Sequence, residues 1–185
     1  MTTDTEREDL IAELATARAA LLTTTDGLTD EQAGATPTVS ALCLGGLVKH
    51  VASMEGNWLR FVVEGPSVMR FDLPDGVTWA DIVAGTARAY PQWMIDHQNE
   101  FAMRPGDTLA TVRARYEHVA KRTEDVIRTL PDLSVTHKVP DAPWDDRPGQ
   151  RWTARRAILH VISETVQHAG HADILRETLD GQKAT

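Results

Sequence analysis

Arg151-Trp-Thr-Ala-Arg-Arg-Ala-Ile-Leu-His-Val-Ile-Ser-Glu-Thr-Val-Gln-His-Ala-Gly-His-Ala-Asp-Ile-Leu-Arg-Glu177 reads as one long amphipathic helix. Thr153 is placed to cap it, and Ile158, Val161, Thr165, Ala172, Leu175 and Leu179 recur at steps of three and four. That period is the signature of a helix with one apolar face. His168 falls on this face, and Glu164 stands four positions before it. Residues so spaced are neighbours on a helix surface, with Cβ atoms about 5–6 Å apart. A carboxylate and an imidazole placed this way can grip one metal ion, as the two histidines of His-Glu-x-x-His do. On a core-facing stripe they need such a partner, because an unpaired buried charge is costly.

Three more segments share the helical period. Glu6–Thr24 carries Leu10, Ile11, Leu14, Ala17, Leu21 and Leu22, and closes at Asp26-Gly27. After a linker in which Thr29-Asp-Glu-Gln32 has the form of a capping box, Ser40 is read as the cap of a second helix running to about Glu64. Leu44, Leu47, Val48, Val51, Met54, Trp58, Leu59 and Val62 lie within it, and the Gly45-Gly46 pair points to close packing against a neighbour. Residues 65–76 are loop. Thr78 is expected to cap a short helix to about Tyr90, and residues 91–106 to be partly helical. Asp107 or Thr108 opens a helix to Leu130, with Leu109, Val112, Tyr116, Val119, Thr123, Val126 and Ile127 on its face. Pro131–Gln150 is a long loop containing Trp144, and loops of this length inside a domain are often functional. No alternating strand pattern competes. The expected fold is all-α: a four-helix bundle with long crossover loops and a short accessory helix, forming a single domain over residues 1–185.

A chain of 185 residues with 42% hydrophobic and 25% charged residues is in the range of soluble globular proteins. The net charge of −8 disfavours nucleic acid and anionic membranes as partners. No run approaches the ~18 apolar residues of a membrane span, and the acidic N-terminus is unlike a secretory signal. The single cysteine, Cys43, fits a reducing compartment. The expectation is a cytoplasmic protein without nucleic-acid or membrane partners, with a homodimer as a possible assembly.

In a bundle, metal sites are built from side chains of facing helices. The second helix offers His50, among Leu47, Val51 and Met54. With Glu164 and His168 it makes a set of two histidines and one carboxylate, the ligand type of catalytic zinc with an open position and of non-haem iron. His160 and His171 are rivals: His160 could pair with Glu164, and His171 with His168. His160 and His168 are eight residues apart, about 12 Å along the axis, and cannot share an ion.

Leu47-Val-Lys-His50-Val-Ala-Ser-Met-Glu55-Gly-Asn-Trp58 resembles the second-helix signature of the DinB-like superfamily, Leu-x-x-His followed by Glu and Trp. His160-Val-Ile-Ser-Glu-Thr-Val-Gln-His-Ala-Gly-His-Ala-Asp-Ile-Leu-Arg176 resembles its last-helix signature. Together the two motifs resemble the actinobacterial branch that includes mycothiol-dependent maleylpyruvate isomerase and the mycothiol S-transferases. That resemblance implies a divalent metal on His50, Glu164 and His168, zinc first, with nickel, manganese or iron as alternatives. Where the superfamily usually ends His-x-Gly-Gln, this chain has His168-Ala-Gly-His171, which puts His171 at a non-ligand position.

Asn57, Trp58, Trp144 and Arg155 are candidates for the walls of a substrate pocket. Trp58 is equally suited to the core, Trp144 to pinning its loop, and Arg155 to plain surface charge. Cys43 is too far along its helix to share an ion with His50. His97 and His118 are read as exposed, and His137 as a loop residue able to approach an open site. The implied activity is a metal-dependent thiol transferase or isomerase, in which a low-molecular-weight thiol such as mycothiol attacks an electrophilic small molecule. The alternatives are a metal-dependent hydrolase, which lacks an obvious second acid, and a non-catalytic metal-binding module.

Overall fold

Four threonine hydroxyls set the starts of helices in this chain. The side chains of Thr29, Thr78, Thr108 and Thr153 each accept a bond from the backbone N–H three residues on. Such caps contribute about 0.5–2 kcal/mol each by satisfying an N–H that the helix itself cannot. In the computed structural model, which describes residues 4–69, 71–140 and 149–183, they open four of seven α-helices. The helices are α1 (Asp4–Thr23), α2 (Asp30–Gly34), α3 (Leu44–Glu64), α4 (Trp79–Ala84), α5 (Gln92–Glu100), α6 (Leu109–Thr129) and α7 (Ala154–Asp180).

Two boundaries differ from the sequence reading. α3 starts at Leu44 rather than after Ser40, whose hydroxyl instead accepts from the N–H of Leu42. A serine that bonds its own neighbouring backbone offers the chain a turn in place of a helix. α4 stops at Ala84 rather than near Tyr90, because Gly85 takes a left-handed φ of 69° and closes the helix there.

The long helices α1, α3, α6 and α7 form the expected bundle. Their directions follow from paired residues. Glu6 meets Arg155 and the Thr24 carbonyl meets Arg176, so α1 and α7 run parallel. Lys49 meets Asp107 and Glu55 meets Thr123, so α3 and α6 also run parallel. His50 faces His168 and Trp58 faces His160, so α3 and α7 are antiparallel. Of the consecutive long helices only α3 and α6 are parallel, and that pair requires a long return, which the 65–108 segment supplies.

Leu21, Leu44, Leu47, Val48, Val51, Val112, Tyr116, Ala172 and Leu175 fill one end of the core. Leu10, Ile11, Leu14, Ile127, Ile158 and Val161 fill the other. Between these layers a buried ion pair crosses the bundle: Arg18 Nη2 lies 2.5 Å from Glu55, and the Thr123 hydroxyl donates to the same carboxylate at 2.5 Å. Arg7 and Arg176 enter the core to donate to the last carbonyls of α6 and to those just after α1, groups no helix can satisfy internally.

Two features of the crossovers bear on the site. α5 is clamped onto α3: Lys49 Nζ donates to the Ala102 carbonyl at 2.8 Å and pairs with Asp107 at 2.5 Å. Gly46 lets this segment lie against the helix, since a Cβ there would overlap the Phe101 carbonyl. A two-stranded antiparallel ribbon, β1 (Thr136–Lys138) and β2 (Arg151–Thr153), sets His137 opposite Trp152 in the last crossover. The sequence reading did not find this ribbon, because three-residue strands are too short to show alternation.

Candidate metal centre

The apolar face of α7 carries His168 inward, and the facing side of α3 carries His50 to meet it. Their rings stand edge to face, with centroids 4.8 Å apart. Glu164 lies one turn back on α7, its carboxylate 3.8 Å from His168 Nε2 and 4.0 Å from His160 Nε2. Burial first, and then the charge of His50, lowers the pKa of His168, so its ring is held in the neutral form that offers a lone pair. Its Nδ1 is buried and has no hydrogen-bond partner among the described residues. A buried polar atom in that state is costly unless a ligand completes it.

The third wall comes from α5, which sequence reasoning left out of the site. Phe101 stacks on His50 with centroids 4.1 Å apart. Glu100 Oε2 stands 3.2 Å from His50 Nδ1 and 3.3 Å from His97 Nδ1, and Ser53 donates its hydroxyl to Oε1. Burial pushes the Glu100 carboxyl up, but the bonds from His50, His97 and Ser53 outweigh it and hold the pKa at about 2. The carboxylate is therefore ionised throughout the physiological range. One ligand atom from each of His50, His97 and Glu100 lies within 4.8 Å of the others, the one group among the described residues whose ligand atoms stand this close; His50, Glu164 and His168 do not form such a group. His97 was read as exposed, and its side chain is 54% exposed, yet it belongs to this cluster. The signal was present as His97 and Glu100 at a spacing of three, the same one-face logic applied to α7.

The other candidates are dispersed. Trp58 stacks on Trp152 at 4.7 Å, nearly parallel, and meets His160 edge-on at 4.9 Å. These rings form an aromatic wall one turn from Glu164. Burial lowers the pKa of His160 as well. Asn57 is exposed on α3 and lines a groove toward α6 instead of the histidine cluster. Arg155 donates to Glu6 on α1. It lies nine positions from Glu164, about two and a half turns, and so on the opposite face of α7. Trp144 lies outside the described residues. His171 is exposed, with its ring 5.5 Å from that of His168. Cys43 is buried with its thiol toward the Phe101 carbonyl, and His137 is bonded to the Val62 carbonyl.

Fold and site together define an all-α bundle whose candidate metal centre is shared by α3, α5 and α7. The mycothiol-S-transferase family matches residues 9–181, and the chain belongs to that family, with its DinB-like fold. A solved structure described as the conserved protein of locus from Enterococcus faecalis superposes with a TM-score of 0.59. Its identity to this chain is 16%, over 95% of this chain and 97% of that one, which shows a shared fold. No curated protein matches the chain. No helix among the described residues is long and apolar enough to cross a membrane.

Proposed function

We propose that the protein is a divalent-metal-dependent thiol S-transferase, with His50, Glu164 and His168 as the ligands of a zinc-like ion. The observation that carries this reading is the convergence of a neutral His168 with His50, ring to ring at 4.8 Å, and with Glu164, 3.8 Å from its Nε2. Family membership supports mycothiol as the thiol and a cytoplasmic setting in which that thiol is reduced. When bound, the ion would lower the pKa of a thiol and hold its sulfur.

The chain's own residues supply the rest. His160 is neutral, half-buried and placed beside Glu164, where it takes the thiol proton on a ring nitrogen. The sulfur's electron pair then forms the C–S bond to the electrophile. The leaving group departs with its bonding pair and recovers the proton from His160. Trp58 and Trp152 limit water on that side. Glu100 fixes the His50 ring through Nδ1, so the atom left to ligate an ion would be Nε2.

A second reading has the ion on His50, His97 and Glu100, whose ligand atoms already stand together. Elemental analysis of single alanine variants separates the two. The first reading expects about one ion per wild-type chain, lost in Glu164→Ala and His168→Ala and kept in His97→Ala. Loss in His97→Ala with retention in Glu164→Ala assigns the ion to the second set. No ion in wild type after incubation with zinc, nickel, manganese and iron refutes both. Transfer is then measured with mycothiol and a chromogenic electrophile, and a rate equal to that of the free thiol refutes the enzyme.

A further inference from the structure

A concavity lies on the outer side of α3, where it runs parallel to α6. Ser53, Asn57 and Arg60 form one rim, at steps of four and three along α3. Arg115, His118 and Arg122 form the facing rim, at steps of three and four along α6. Both ladders span seven residues, about 10 Å of helix rise. Because the helices run in the same direction, the ladders advance side by side. Gly56 keeps the floor low: the nearest heavy atom a Cβ there would meet is on Val119, at 3.9 Å. The cavity volume is about 160 Å³.

The charge of this groove is opposite to that of the molecule, whose net charge is −8. The acids around it are engaged elsewhere: Asp107 with Lys49, and Glu124 with Arg18 and Arg128. Glu64 pairs with Arg60 at 3.3 Å, and that pair is solvent-exposed. Among the described residues Arg115 and Arg122 form no ion pair within 4.0 Å, and Arg115 meets Asp107 only through its longer-range field. Two guanidinium groups, each a planar fork of donors, therefore face a small cavity that also offers a hydroxyl, an amide and an imidazole.

We infer that the α3/α6 groove binds a small oxyanion-bearing molecule, carboxylate or phosphate, with Arg115 and Arg122 as its principal donors. The groove borders the candidate metal centre, because Ser53 both lines it and donates to Glu100, which holds His50. The anion is accordingly the charged end of the electrophilic substrate. This last assignment rests on the thiol-transferase reading, whereas the binding site itself does not.

The test is calorimetry on the full chain with inorganic phosphate and with succinate, each against sodium chloride of equal ionic strength. Saturable 1:1 binding of at least one probe is expected. Phosphate preferred over succinate identifies a phosphate-bearing ligand, and the reverse a carboxylate. Arg115→Ala/Arg122→Ala is expected to weaken binding by about tenfold or more, the loss of charge-assisted bonds. Arg115→Lys/Arg122→Lys restores it in part, and Arg151→Ala/Arg156→Ala leaves it unchanged. No binding of either probe in the millimolar range, or equal affinity in the double alanine variant with its helical signal intact, overturns the proposal. In the transfer assay the double alanine variant raises KM more for a carboxylate-bearing electrophile than for a neutral one. Absence of any thiol transfer refutes the enzymatic reading and leaves the calorimetry to decide the groove.

Discussion

Glu100 shows how much one side chain can set in this site. Its carboxylate is bonded by His50, His97 and Ser53, so it fixes the ring orientation of His50. Glu100→Gln keeps the shape and removes the charge. It is expected to weaken divalent-ion affinity by about 10–100-fold with the helical signal unchanged, as read by competition with a chelating dye. The pH response of the metal-free protein follows from His160 and His168. Both have folded pKa values below the ordinary 6.5, burial being the largest cause, so the unfolded chain binds protons more strongly. Their contribution to stability is complete above 6.5 and declines as pH falls from there toward the lowered folded values. Urea midpoints of chelated protein on either side of 6.5 should show this slope, and His160→Gln/His168→Gln should flatten it. At this level the sequence was legible where a residue's partner lies on the same helix. Glu164 and His168 were found by spacing, and their contact is an i,i+4 contact. Glu100 was not, because its three partners span two helices, and nothing local indicates that α5 folds back onto α3.

Among the elements, the four long helices could be read directly from their apolar period, and three threonine caps expected from the sequence, Thr29, Thr78 and Thr153, are present. The docking of α5 was less visible, since its helix has no buried residue and its position depends on Lys49 and Gly46 of another helix. Gly45-Gly46 did announce close packing, but not the partner. Gly46→Ala is expected to force the Phe101 carbonyl away, cost about 1–3 kcal/mol in denaturant unfolding, and weaken ion binding by loosening Glu100. Gly170 is the contrast. It lies exposed within α7 with nothing within 4 Å of a Cβ, so Gly170→Ala should add about 0.5–1 kcal/mol with ion binding unchanged.

Across the whole molecule, the Arg18–Glu55 pair ties three of the four long helices together at a level where both side chains are nearly inaccessible. Arg18→Ala leaves Glu55 a buried carboxylate with only the Thr123 hydroxyl, and is expected to cost about 3–5 kcal/mol in chemical denaturation. Replacing both members with well-packed apolar residues should recover much of that loss. The fold class could be read from the chain because each long helix declares itself locally. The up-down-down-up order could not, since it is decided by pairings such as Glu6–Arg155 and Lys49–Asp107 that only the assembled bundle reveals. The parallel packing of α1 on α7 also has a consequence at the ribosome. The apolar face of α1 emerges first, and its partner begins 131 residues after α1 ends, at Ala154. At about 5–20 residues per second, the nascent chain carries that face without its mate for roughly 7–26 seconds. The first helix made is thus the one most in need of a chaperone, and the last one made releases it.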